Sequence, residues 1–370
     1  MIPTLQQYHI SPKMGFLAPP SDIKLPQRYH PWEELAENMP SYLMAKCFRK
    51  EVENLKTIKV EEEEEQVLRQ LLSVLAFLQN GYMANGGVET APPQITIPLN
   101  QLCKRFGIAQ ISTYASLVLW NYRLIKPERG FCLENLATLY TFTGSNQESW
   151  FYLTSVMFEK EGATSLCKGM EALEKAEAGD LEGTVGALQY LAEEIDYLGG
   201  VMMRVQAMDP NYFYNQLRPF LAGYNKMAGG SNAQSSLTQF YDIILGVEHK
   251  DSYLKEMRNY MPKNHRDFLE ALEPYAHTIG NFVRQQNDEQ LTLAYDACLA
   301  MIKAFRDKHI QIVTRFIVLQ KANKVSEKGT GGTSLLPFLK QCRDETGNAA
   351  AGSWGKRILT DGMLRLKYTK

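Results

Sequence analysis

The amino-acid sequence predicts a mostly α-helical protein with two domains, a smaller N-terminal one and a larger helical one. Beyond residue ~143, apolar residues recur at helical spacing in one segment after another. Alternating strand patterns are scarce, and no βαβ rhythm is present. Because the polar turn Thr143-Gly144-Ser145 precedes a new helical pattern, we expect domains at 1–143 and 144–370.

The N-terminal part contains several shorter predicted helices. A short helix is expected at Trp32–Met39, after a stretch rich in proline and aromatic residues. The five glutamates Glu61 to Glu65 suit the first turn of a helix, and helical spacing continues from Gln66 to Leu78. Paired glycines and prolines predict a loop at Gly81 to Pro93, and Ile95 to Leu119 carries two further helical patterns.

Seven helices are predicted in the larger part, at Glu148–Glu161, 164–178, 181–207, 211–222, 234–248, 264–274 and 288–320. Two glycine-rich segments, 228–232 and 329–333, interrupt this succession. Neither matches the phosphate-binding pattern GxxxxGK[ST] and neither follows a strand, so nucleotide binding is not expected. Each segment is either a flexible connector or a loop that closes over a ligand.

Charge and cysteine usage narrow the class of protein. The 370 residues include 40 basic and 41 acidic side chains, so no net field attracts nucleic acid or acidic membranes. No apolar run approaches the ~20 residues that a membrane span needs, and no secretory signal is evident. The six cysteines are scattered without a CxxC pair, which is typical of reduced thiols. We therefore expect a cytoplasmic protein with no nucleic-acid or membrane partner.

The common hydrolytic and zinc-binding motifs are absent from the sequence. It contains no GxSxG, HExxH or HxH pattern. Five of the six histidines are dispersed in polar or turn-like contexts, which disfavours a zinc site with several histidines.

His309 differs from the other histidines because it lies on the apolar stripe of a predicted helix. It follows Phe305 by four residues and precedes Ile312 by three, so its ring is expected to point inward. An imidazole buried without a partner costs about 1–3 kcal/mol. Its partner is a carbonyl, a carboxylate or a metal such as haem iron, and the spacing alone leaves these alternatives open.

Two further segments carry side chains suited to a ligand pocket. Phe151 and Ser155 are four residues apart on one helix face, which fits either a pocket lining or ordinary packing. Phe213 and Tyr214 precede Arg218 in a segment that Asp209 can cap. Aromatic rings beside an arginine suit a flat ring that bears a carboxylate, although a surface arginine beside a core cluster gives the same pattern.

Seven segments, spread over most of the chain, carry a resemblance to a known family. They are Tyr8 to Phe16, Leu217 to Gly223, Ala228 to Ser236, Phe240 to Val247, Glu256 to Leu269, Ala294 to Ile317 and Lys328 to Leu339. In this order, and with this spacing around His309, the chain resembles indoleamine 2,3-dioxygenases. These haem enzymes open the indole ring of tryptophan.

The resemblance implies a haem b site in the larger domain. His309 corresponds to the proximal ligand of the iron, Arg306 to a residue that reaches a haem propionate, and Asp242 to an acid on the proximal side. Ser231 is implied to line the haem pocket.

The resemblance also implies a substrate pocket for tryptophan or a close indole derivative. The residues concerned are Tyr114, Phe151 and Ser155 in the distal pocket, Phe213 and its neighbour Tyr214 against the indole, Arg218 at the substrate carboxylate, Ser231, and Thr330 in a closing loop. The implied activity inserts O2 across the indole C2–C3 bond to give an N-formylkynurenine-type product, with an external reductant.

Three positions depart from the family pattern. The family usually has phenylalanine at Tyr214 and alanine at Asn232, and a much longer segment where Tyr224 to Met227 stand.

Three alternatives accompany the dioxygenase hypothesis. They are a haem enzyme that rearranges a substituted tryptophan, a non-enzymatic haem protein that binds oxygen, and a haem-free helical scaffold.

Overall fold

The computed structural model describes residues 1–21, 23–84, 86, 88–320 and 335–352, and most of them are helical. The α-helices are α1 (His30–Glu37), α2 (Met39–Met44), α3 (Phe48–Asn54), α4 (Glu65–Ala84), α5 (Pro93–Phe106), α6 (Asn146–Glu177), α7 (Leu181–Met203), α8 (Pro210–Tyr212), α9 (Arg218–Leu221), α10 (Ser236–Ile244), α11 (Tyr253–Met257), α12 (Lys263–Leu272), α13 (Thr278–Gln286), α14 (Glu289–Val313) and α15 (Leu335–Thr346). Single π turns occur at Ala115–Leu119, Phe213–Leu217 and Thr314–Val318. The predicted mostly α class is confirmed.

Shorter elements connect the helices. The 3-10 helices are Gln6–Tyr8, Gln27–Tyr29, Pro127–Arg129, Leu133–Asn135, Arg204–Ala207, Asn232–Gln234, Arg258–Tyr260, Glu273–Tyr275 and Gly347–Ala349. Among the described residues, the only sheet pairs strands β1 (Tyr122–Leu124) and β2 (Leu136–Thr138), antiparallel, with Arg123 opposite Ala137.

The N-terminal helices differ in detail from the prediction. The helix expected at Trp32–Met39 is α1, and it ends before Asn38, after which α2 begins. α4 starts at Glu65, so only the last of the five glutamates lies in its first turn. α4 also continues through Gly81 to Ala84, into the predicted loop, because it is buried along most of its length against the surrounding helices.

Three long helices, α6, α7 and α14, pack side by side and form the framework of the larger part. The prediction of two separate helices at Glu148–Glu161 and 164–178 is wrong, because α6 runs unbroken over 32 residues, about 48 Å. The hydroxyl of Ser145 caps its start by accepting from the Gln147 amide. Gly162 lies inside the helix, at a position where a side chain would clash with Leu237.

Two glycines of α6 bring α10 close to it. A Cβ on Gly162 would lie 2.1 Å from a methyl carbon of Leu237, and one on Gly169 would lie 2.6 Å from Ile244 and 2.7 Å from Phe240. Only glycine therefore allows the two helices to approach this closely. The approach places the start of α10 beside the middle of α6, where the candidate site lies.

The C-terminal helices agree with the prediction at the start of α14, and they differ from it at the end of α14 and in three helices that were not predicted. α14 starts where the predicted helix 288–320 begins, and Asp288 caps it through a hydrogen bond from the Leu291 amide. The helix ends at Val313, and a π turn carries the chain to Val318 in place of the single helix predicted to residue 320. α11, α13 and α15 were not predicted.

The hydrophobic core contains residues from both sides of residue 143. Phe77 packs edge-on against Tyr152, and Phe142 stacks on Phe220 with ring centres 4.9 Å apart. The division into domains 1–143 and 144–370 stays a prediction. In the part of the chain that the structure describes, no helix combines the length and apolar character needed to cross a bilayer.

Candidate active site

A cavity of about 260 Å³ lies between α6, α10, α14, α15 and the π turns. Its wall contains eight of the residues singled out in the sequence: Tyr114, Phe151, Ser155, Phe213, Ser231, Asp242, Arg306 and His309. These residues come from segments up to almost 200 positions apart in the sequence. The cavity is therefore the place where the sequence-predicted site residues converge.

His309 lies on the α14 side of the cavity, one turn after Phe305. The helical register confirms the inward position predicted for this side chain. Burial lowers the pKa of His309 to about 4, and the positive charge of Arg306 acts in the same direction. Among the described residues, no hydrogen-bond partner is found for the His309 ring. The site thus presents a neutral imidazole that has kept a nitrogen lone pair available.

Aromatic rings form the apolar walls of the cavity. The Phe213 ring lies 5.2 Å from that of Phe151 and 5.7 Å from that of Phe316, and Phe305 stacks on Phe158 at 5.5 Å. Rings at these separations attract one another weakly and exclude water. The cavity can therefore enclose a flat, largely apolar molecule.

A tight backbone segment positions Ser231. A Cβ on the preceding Gly230 would lie 2.4 Å from a methyl carbon of Leu117, so a side chain there would push the segment away from the wall. The Ser231 hydroxyl accepts from the Ala233 amide and caps the short 3-10 helix Asn232–Gln234. The Gln234 side chain in turn accepts from the Tyr114 amide at 2.9 Å, which ties this segment to the start of the π turn Ala115–Leu119.

Tyr214 and Arg218 do not lie in the cavity wall, although Phe213 beside them does. Both side chains are buried, and the guanidinium carbon of Arg218 lies 5.2 Å from the centre of the Tyr214 ring. A π turn, often found at functional sites, carries the chain from Phe213 to Leu217. The predicted contact of Arg218 with a substrate carboxylate stays a prediction, and Thr330 lies outside the described residues.

Asp242 and Arg306 form a buried ion pair beside the cavity. One terminal nitrogen of the guanidinium donates to both carboxylate oxygens, at 2.6 and 2.7 Å. The other donates to the Cys342 carbonyl at 3.2 Å and to the Thr346 hydroxyl, both on α15. Arg306 is therefore held chiefly by protein groups, and its predicted contact with a haem propionate stays a prediction.

His249 and Glu345, which sequence reasoning missed, extend this ion pair. Nε2 of His249 lies 3.1 Å from Asp242, and Nδ1 lies 2.8 Å from Glu345. Burial alone would lower the pKa of His249, but hydrogen bonding and the charge of Asp242 raise it to about 10. Burial raises the pKa of Asp242, yet Arg306 and His249 hold it below its usual range. The four charged side chains link α10, α14 and α15. On α14 the linked residue is Arg306, three residues before His309.

A second missed residue, Glu159, lies behind the opposite wall. It follows Phe151 and Ser155 at four-residue spacing on α6, which is the signal that could have identified it. Its carboxyl accepts from the hydroxyls of Tyr114 and Ser235, both of which line the cavity. The Tyr114 and Ser235 hydroxyls therefore form a polar patch in the cavity wall, with Glu159 behind it.

The donor set suits a metal that is held by one protein ligand. No group of three or more histidine, cysteine, aspartate or glutamate side chains that could hold a metal ion is found within the described residues. A single neutral imidazole facing an aromatic cavity instead matches a macrocyclic metal cofactor, which supplies the other ligands itself. His309 fits this role by its protonation state and its position.

Comparisons with known proteins give independent evidence on the family of the chain. The family model for indoleamine 2,3-dioxygenase matches residues 4–228 and 224–349, and the two matches meet at the short link Tyr224 to Met227. An indoleamine 2,3-dioxygenase of Saccharomyces cerevisiae is 36% identical over 93% of each chain. A 6-hydroxytryptophan 2,3-dioxygenase of Fusarium equiseti is 32% identical over 93% of this chain and 97% of its own. A protein of Haliotis madaka named myoglobin is 30% identical over 92% and 97%. The chain belongs to the indoleamine 2,3-dioxygenase family.

Proposed function

We propose that this protein binds haem b through His309 and oxidatively cleaves the indole ring of tryptophan or a close indole derivative. The observation that carries the proposal is the neutral His309 imidazole facing an aromatic-walled cavity, in a chain of this family. When bound, haem iron supplies the oxygen chemistry. The product is of the N-formylkynurenine type, with both atoms of O2 added across the C2–C3 bond. An external reductant keeps the iron ferrous.

The protein's own residues orient the substrate and keep water out. Phe151 and Phe213 lie close enough together to hold an indole ring against the cavity wall. Holding the ring in one orientation makes its reaction with oxygen effectively intramolecular. The walls need no strong acid or base for this task, which agrees with a mostly apolar lining. Ser231, on its glycine-supported segment, would line the haem pocket.

Product analysis tests the proposal directly. Reduced, haem-loaded protein is incubated with tryptophan and isotopically labelled O2, and the products are identified by mass. We expect a product that is heavier than tryptophan by two labelled oxygen atoms. A product without added oxygen would instead indicate rearrangement of the substrate.

Reversible oxygen binding is the second candidate function, because one relative of similar coverage is named myoglobin. The same experiment distinguishes the two functions. Stable oxygenated haem with intact tryptophan would support the oxygen carrier and contradict the dioxygenase. All six cysteines are free, which suits a reducing compartment such as the cytoplasm for either function.

Arg218→Ala is expected to weaken the binding of tryptophan by roughly 10- to 100-fold, the usual worth of hydrogen bonds to a charged group. Indoles that lack a carboxylate should lose less than about threefold. Ligand titrations of the ferric protein measure both. Arg315→Ala is the matched control, because Arg315 bonds to Gln206 at 3.0 Å and lies over Phe316 at the cavity. Equal losses of affinity for both kinds of ligand would show that Arg218 does not recognise the carboxylate.

A further inference from the structure

The apolar face of α15 is directed at the cavity rather than at the core of the protein. Leu335, Phe338, Leu339 and Cys342 lie on one face of this helix, and all four line the cavity. None of the four belongs to the hydrophobic core that the described residues form, and the first three are only half-buried. The apolar packing of α15 is therefore completed by the molecule that fills the cavity.

Polar contacts hold the other side of α15 to the body of the protein. Arg306 on α14 donates to the Cys342 carbonyl at 3.2 Å and to the Thr346 hydroxyl. Between these two residues, the Glu345 carboxylate lies 2.8 Å from Nδ1 of His249, which belongs to the segment between α10 and α11. The His249–Glu345 pair thus connects the cavity wall formed by α15 to a different part of the chain than Arg306 does.

The His249 ring bridges two carboxylates in a nearly dry environment. Its Nε2 lies 3.1 Å from Asp242, and the side chains of His249 and Glu345 are only 9% and 7% exposed. Because a carboxylate accepts at each ring nitrogen, both nitrogens carry a proton and the ring is charged. The nearby Arg306 opposes this charge, but the hydrogen bonds and the charge of Asp242 outweigh it. Both bonds are therefore charge-assisted, about twice as strong as neutral ones.

We propose that His249 and Glu345 are positioning residues that hold α15 against the bound cofactor and so slow its escape from the cavity. A cofactor enclosed in the cavity leaves only when the walls part. Because the apolar face of α15 lies outside the core, α15 is the wall that opens most readily once its polar contacts break. The inference rests on the proposed function for the identity of the cofactor, haem.

The test measures how fast the ferric, haem-loaded protein loses haem to an excess of apomyoglobin, followed by the change in absorbance. A hydrogen bond to a charged group is usually worth a factor of about 10 to 100. We therefore expect haem loss to be at least about 10-fold faster in His249→Ala and in Glu345→Ala. The double variant should be no faster than the faster single variant, because the two side chains act as one pair.

Two further variants are the matched controls. Glu345→Gln keeps an oxygen that can accept from His249, and it should stay within about threefold of the wild-type rate. Asp307→Ala removes an ion pair with Arg343 that also joins α14 to α15 but is more exposed, and it should change the rate by less than about twofold.

Hydrogen exchange separates positioning of α15 from a general structural role. In haem-loaded His249→Ala, backbone amides of α15 should exchange faster than in the wild type, while those of α6 should exchange at the wild-type rate. Mass spectrometry of peptides from the two helices measures both. An equal increase in α6 and α15 would overturn the inference, because it would show that His249 stabilises the whole fold.

Wild-type rates of haem loss in His249→Ala and Glu345→Ala would also overturn it, and so would an equal acceleration in Asp307→Ala. If the wild type binds haem but leaves tryptophan intact in the labelled-oxygen experiment, only the proposed reaction fails. If the wild type binds no haem, both proposals fail.

Discussion

His309→Ala is expected to purify with little or no haem, because it removes the only protein ligand proposed for the iron. Changes to groups that merely orient a metal ligand already cost about 10- to 100-fold in metal affinity, so the loss here should be at least that large. The ring has no other bonding role among the described residues, and it faces the cavity. Removing it should therefore spare the fold. Haem content per chain and the visible absorption spectrum measure the effect.

A control and a rescue sharpen this prediction. His277→Ala makes the same substitution at a half-exposed histidine near Glu248 and should retain haem. Imidazole added to His309→Ala can occupy the space that the side chain vacates, and it should restore the haem spectrum in part. Full haem content and an unchanged spectrum in His309→Ala would refute the ligand assignment and return the protein to the haem-free alternative.

Asp242→Ala is expected to lower the free energy of unfolding by about 3–5 kcal/mol, the usual cost of removing one partner from a buried ion pair. Asp242 is 6% exposed and is the shared partner of Arg306 and His249. Without it, Arg306 loses the carboxylate with which it pairs, while His249 retains Glu345 as a partner. Urea denaturation, followed by circular dichroism, measures the change. Asp307→Ala removes one of the two carboxylate partners of the more exposed Arg343 and should cost only about 0–1 kcal/mol.

The cost of Asp242→Ala should depend on pH in a defined direction. The pKa of Asp242 lies below its usual value of 3.8, so its contribution is present above that value and is lost as the pH falls through the folded-state pKa. The pKa of His249 is raised from 6.5 to about 10, so its contribution is complete below 6.5 and is lost as the pH rises through about 10. The difference between Asp242→Ala and the wild type should therefore be greatest between about pH 4 and 6.5. An equal difference at pH 5.5 and pH 10.5 would contradict the role of charged His249.

Parts of the site could be predicted from the sequence, because the spacing of residues within one helix shows which side chains share a face. Four-residue spacing placed Phe305 and His309 on one face of α14, and likewise Phe151 and Ser155 on α6; both pairs line the cavity. Helical spacing also predicted a helix from residue 288, next to the first residue of α14, Glu289. The motif order around His309 indicated the family, which the comparisons confirmed.

Only the tertiary structure decided which of these faces meet and which polar groups pair. The bonds of Glu159 to Ser235 and of His249 to Glu345 join residues 76 and 96 positions apart. The tertiary structure also showed that the two helices predicted at Glu148–Glu161 and 164–178 are the single helix α6. It placed Arg218 over the Tyr214 ring, outside the cavity wall. The physical reason is that periodicity records which side of a helix is buried, whereas hydrogen bonds and ion pairs depend on where the packed helices bring side chains together.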